Sequence, residues 1–91
     1  MAEGEPYGAL VTPRAERDLA RLDPPVRRRV LEAFARLVDD PAGAQVVRLV
    51  GTDPPEYRLR VGDWRLRFLR DDAARLVVLT RVLPRGRAYR D

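Results

Sequence analysis

The chain has 91 residues and a formal net charge of +4, and all of its basic residues are arginine. A chain this short builds one modest core, so a single domain spans residues 1–91, with 1–6 expected as a flexible tail. Cysteine, histidine and serine are missing, which excludes disulfides, thiolate metal sites, serine or cysteine nucleophiles and a histidine proton shuttle.

In chain order, Tyr7 to Val11 (YGALV) is an apolar run suited to a buried strand. Thr12-Pro13 has the pattern of an N-cap followed by a first helical residue, because proline's fixed φ suits that position and its missing N–H costs nothing there. Ala15, Leu19 and Leu22 then fall at helical spacing over about two and a half turns. Asp23-Pro24 repeats the signal. Val30, Phe34, Leu37 and Val38 form the apolar stripe of a second helix, with Arg27, Arg28 and Arg29 reading as its solvated side. This helix should end near Asp40-Pro41, since a residue before proline disfavours the helical conformation. A connecting segment follows, with a short extended piece from Val46 to Val50.

Three strands are expected next: Tyr57 to Val61, Trp64 to Leu69 and Arg75 to Leu83. Gly62-Asp63 suits a two-residue type II′ hairpin turn, and residues 70–74 make the following turn. The last run, RLVVLTRVL, is apolar enough for a central strand covered on both faces. The predicted fold is α+β: one domain in the order β-α-α-β-β-β, with a mainly antiparallel sheet and a helix hairpin packed on one face.

Charge is distributed unevenly. Residues 1–56 hold 8 arginines against 10 acids, whereas residues 57–91 hold 10 against 4. Such a basic half points to a polyanionic partner, nucleic acid first. A turn at Gly62-Asp63 pairs Arg60 with Arg65 and Arg58 with Arg67, and alternation sends all four away from the core. Like charges facing each other across a ladder repel by up to about 1 kcal/mol. A site whose guanidinium forks grip phosphate is the favoured reading; an ordinary solvated strand face, over which an acidic helix or tail could fold, is the other. In the tail LPRGRAYRD, Tyr89 stands among Arg85, Arg87 and Arg90. It could stack on a base, act as a general base with its phenolate favoured by nearby cations, or close the edge of the core. The acidic doublets Asp39-Asp40 and Asp71-Asp72 read as helix-end and turn residues, so neither a metal nor another cofactor is expected.

These segments resemble the RelE/ParE superfamily of bacterial type II toxins, and its RelE-like mRNA interferases most. TPRAERDLARL is similar to the family's first helix, YRLRVGDWRLRF to its hairpin motif and LPRGRAYR to its C-terminal signature. The resemblance implies a ribosome-dependent mRNA endonuclease in which a 2′-hydroxyl attacks the adjacent phosphate. It casts Arg58, Arg60, Arg65, Arg85 and Tyr89 as catalytic, with Arg67 and Arg87 positioning RNA. Two residues depart from the pattern: the basic pair Arg58 and Arg60 is often lysine in the family, and Pro84 stands where a histidine often does. The implied partners are a cognate antitoxin, the ribosome and mRNA. No apolar run is long enough to cross a membrane and the start MAEGEPYG is acidic, so a cytoplasmic protein without a membrane partner is expected. A ParE-like inhibitor of DNA gyrase and a non-catalytic nucleic-acid-binding domain are the alternatives.

Overall fold

A computed structural model describes residues 6–43, 46–49, 51 and 55–84. Among these residues, five strands and two helices follow in the order β1 (Gly8–Val11), α1 (Pro13–Ala20), α2 (Pro24–Asp39), β2 (Val46–Arg48), β3 (Glu56–Val61), β4 (Trp64–Asp71) and β5 (Leu76–Pro84). The sheet order is β1-β5-β4-β3-β2; β1 runs parallel to β5, and the other pairs are antiparallel. The extended piece at Val46 is thus a true strand, shorter than expected, that pairs with β3 and makes the sheet five-stranded. The helices lie on one face only.

Local chemistry sets the helix starts. Thr12 caps α1, its hydroxyl accepting from the Ala15 N–H at 3.1 Å, with Pro13 as the first helical residue. Asp23 occupies the equivalent place before α2, but its side chain makes no capping bond. The corner between the helices is held from elsewhere. Arg27 reaches back to donate from Nε to the Leu19 carbonyl at 2.9 Å and from Nη2 to the Leu22 carbonyl at 2.8 Å, at the carbonyl-rich end of α1. Arg27 therefore leaves the solvated side expected for it, while Arg28 and Arg29 remain exposed there.

The core lies between the helices and one sheet face. Ala15, Leu19, Val30, Phe34 and Leu37 meet Leu66, Phe68, Val77, Leu79 and Val82. Tyr57 and Phe68, directly opposite in the β3–β4 ladder, stack with centroids 5.5 Å apart. Such a pair adds about 0.5–1.5 kcal/mol beyond its buried area. Two strands differ from expectation. β1 is an exposed edge, with Leu10 at 55%, because among the described strands it pairs with β5 alone. β5 is not uniformly buried either: it alternates until a bulge at Thr80, where the partner of β4 jumps from Arg81 to Leu79. The Thr80 hydroxyl donates to the Arg67 carbonyl at 3.0 Å and fills the gap.

Candidate functional site

The hairpin of β3 and β4 reverses at Gly62-Asp63 in the expected register, pairing Val61 with Trp64, Arg60 with Arg65, Leu59 with Leu66 and Arg58 with Arg67. Gly62 has φ 59°, and Asp63 is not among the non-glycine residues at positive φ. That combination makes the turn type II′. Since Leu66 and Phe68 point at the helices, strict alternation directs Arg58, Arg60, Arg65 and Arg67 to the opposite face.

The four arginines are not equivalent. Arg60 and Arg65 share one acceptor at the hairpin tip, the Gly62 carbonyl, which takes Arg60 Nε at 3.4 Å and Arg65 Nη1 at 3.3 Å. Arg65 Nη1 also donates to the Trp64 carbonyl at 3.1 Å. Arg65 is buried to 7% exposure, and no carboxylate among the described residues pairs with it or with Arg60. A guanidinium held at such depth by backbone carbonyls is already oriented, which suits it to an incoming anion.

Arg67 is different. Its Nη2 lies 2.9 Å from Glu56 Oε2, both side chains 14% exposed, while its buried Nε finds no acceptor. Glu56 is an acid just outside the hairpin motif expected from the sequence. It sits two residues before Arg58 on the same strand and therefore on the same face, diagonal to Arg67. The even spacing is a usable signal, masked by the preceding Pro54-Pro55, which reads as loop. Arg58 is half-buried opposite Arg67. Leu83, opposite Arg65, is also buried, so this part of the face is partly apolar.

Arg85, Arg87 and Tyr89 lie outside the described residues. A cleft of about 650 Å³ opens beside the ladder, lined by Leu37 and Arg36 of α2 and by Leu59 and Arg60 of β3, so Arg60 borders both surfaces. Among the described residues, no group of three or more acids, histidines or cysteines could hold a metal ion, and no helix is long and apolar enough to cross a membrane.

Solved structures share this architecture. The archaeal RelE–RelB complex from Pyrococcus horikoshii is similar at 26% identity with a TM-score of 0.78, over 91% of this chain and 99% of that one. The toxin–antitoxin complex RelBE2 from Mycobacterium tuberculosis is similar at 33% identity and a TM-score of 0.76, over 89% of this chain and 100% of that one. The isolated RelE toxin of E. coli shares the fold at 19% identity, with a TM-score of 0.74 and 92% of each chain covered. The fold is thus that of small type II toxins. No curated protein matches the chain. The family model of the ParE toxin of type II toxin–antitoxin systems matches residues 9–89, and the chain belongs to that family, within the RelE/ParE superfamily.

Proposed function

We propose that this toxin is a ribosome-dependent endonuclease that cuts messenger RNA without a metal ion. The observation that carries the reading is the hairpin tip, where Arg60 and Arg65 stand directly opposite, share a backbone acceptor and meet no carboxylate among the described residues. Fixed cations of this kind favour a pentacovalent phosphorane, which bears one more negative charge than the phosphodiester before attack.

In the proposed reaction Tyr89 takes the proton of a ribose 2′-hydroxyl, whose oxygen attacks the adjacent phosphorus. The bond to the 5′-oxygen of the next nucleotide then breaks. Arg58, Arg60 and Arg65 stabilise the Tyr89 phenolate and the phosphorane. Arg85 holds the charge of the departing oxygen. Arginine stays protonated throughout and is a poor acid, so that oxygen takes its proton from solvent. Arg67 and Arg87 position the RNA. Arg67 does so while tied to Glu56, which leaves it the smaller share of the phosphate's charge. The RelE and RelBE2 relatives were solved as complexes with antitoxins, and a cognate antitoxin is proposed here too: an acidic segment would neutralise the tip arginines.

The test is induction of the wild type, Tyr89→Phe and Arg65→Ala in a translating extract, with mRNA ends mapped. The wild type should give translation-dependent cuts, and both variants should lose them by about 10²-fold or more. The match to the ParE family favours a second reading, inhibition of DNA gyrase. An SOS response with no mRNA cuts would establish that reading and refute the first.

A further inference from the structure

β1 ends at Val11 opposite Leu79, so the rest of β5 has β4 on one side and, among the described residues, no strand on the other. α1 supplies what a longer β1 would have given. The Thr12 N–H donates to the Leu79 carbonyl at 3.0 Å, and the Thr12 hydroxyl to the Thr80 carbonyl at 3.2 Å. Asp18 Oδ2 then accepts both the Val82 N–H and Arg81 Nε, each at 2.9 Å. The ion pair is mostly buried, with Asp18 at 10% and Arg81 at 17% exposure.

A buried carboxylate is costly unless it is well satisfied, and an asparagine could accept the Val82 N–H as well. The charge of Asp18 therefore has to be explained by Arg81. In register Arg81 stands opposite Arg67, on the arginine side of the sheet, and yet its guanidinium is held against α1.

We propose that Asp18 is a positioning residue for the arginine face. It keeps the Arg81 cation off that face and fixes the register of the β5 segment that leads into Arg85 and Tyr89. This deepens the ribonuclease reading and rests on it for the effect on cleavage. Too many cations would grip RNA in unproductive registers, so affinity and turnover should move in opposite directions when Asp18 is neutralised.

The experiment compares the wild-type chain, Asp18→Asn, Arg81→Gln and the double variant. Binding is measured to a short oligodeoxynucleotide, which lacks the attacking 2′-hydroxyl, across a salt series. Cleavage is measured in the translating extract, and protection of the Val82 amide by hydrogen exchange. Asp18→Asn should bind severalfold tighter at low salt, steepen the salt slope by about 0.7 and cut at least tenfold more slowly at saturation without a higher KM. Arg81→Gln alone should leave the slope unchanged, because that cation is not on the face in the wild type. The double variant should bring the slope back. An unchanged slope in Asp18→Asn, or a shallower one in Arg81→Gln, overturns the proposal. A wild type that cuts no RNA sinks the ribonuclease reading alone, since slope and amide protection still decide whether Asp18 withholds Arg81.

Discussion

The two ends of β4 treat arginine in opposite ways. At the hairpin tip, Arg65 and its neighbour Arg60 converge on a single carbonyl, and no acid among the described residues answers them. At the other end, Arg70 Nε lies 2.7 Å from Asp72 Oδ1, Arg70 Nη1 reaches the Pro41 carbonyl at 3.4 Å, and the guanidinium sits over the Tyr57 ring. The same side chain serves as an anion site in one place and as a stitch between sheet, turn and helix end in the other. What decides is whether the adjoining turn supplies a carboxylate. Asp72 does so; Asp63 stands in the tip turn but pairs with neither arginine.

That contrast is broken most directly by truncating both ends. Arg60→Ala should lower cleavage by about 10²-fold or more while leaving the denaturant midpoint nearly unchanged, because Arg60 is exposed and its lost carbonyl contact is offset by relief of like-charge repulsion. Arg70→Ala should do the reverse, costing about 1 kcal/mol of stability with cleavage per folded molecule intact. Equal loss of stability at both ends would make the tip arginines structural and remove the basis of the proposed site.

A smaller effect sharpens the role of the tip carbonyl. Gly62 has φ 59°, and a methyl group added at its Cα would meet nothing within 4 Å, so Gly62→Ala makes no steric clash but is strained in its backbone. A cost of about 1 kcal/mol is expected. If the shared acceptor orients Arg60 and Arg65, the variant should also lose several-fold in cleavage, read as kcat rather than KM.

Much of this contrast is legible in the sequence, and the parts that are not have physical reasons. Alternation in YRLRVGDWRLRF, with glycine at the turn, sets register and facing together, because a one-residue slip would expose Leu59, Leu66 and Phe68. The acids that sort the arginines are harder to read. Glu56 follows prolines that suggest a loop, and Asp18 looks like any polar residue on a short helix until β1 proves too short to cover β5. The bulge at Thr80 is hidden inside a continuous apolar run. The second turn is displaced from its expected place because Arg75 adopts φ 55°, a conformation usually signalled by glycine or asparagine. The role of Arg85 comes from the resemblance to the toxin family, and that of Tyr89 from the same resemblance together with its setting among arginines in LPRGRAYRD.

The smallest expected effect concerns the acid at the structural end. The Tyr7 hydroxyl, donating to Asp72 Oδ1 at 2.6 Å, and then the Arg70 guanidinium hold the Asp72 carboxyl below its ordinary range. The same contact with Asp72 raises Arg70. A carboxyl depressed in the folded state stabilises the fold at pH values above its unfolded pKa, and that contribution is lost as the pH falls through the folded value. Asp72 is largely exposed, at 63%, so its pair with Arg70 is worth about 0.2–1 kcal/mol. Asp72→Asn should therefore be slightly less stable than the wild type near neutral pH, and the two denaturation midpoints should converge in acid once the wild-type carboxyl is protonated. Salt should narrow the gap at neutral pH, whereas the tip variants, which lack a paired acid, should show no such acid convergence. A gap that persists unchanged into acid would mean that Asp72 acts through its shape and hydrogen bonds rather than its charge, and the distinction between the two ends of β4 would then have to rest on Arg70 alone.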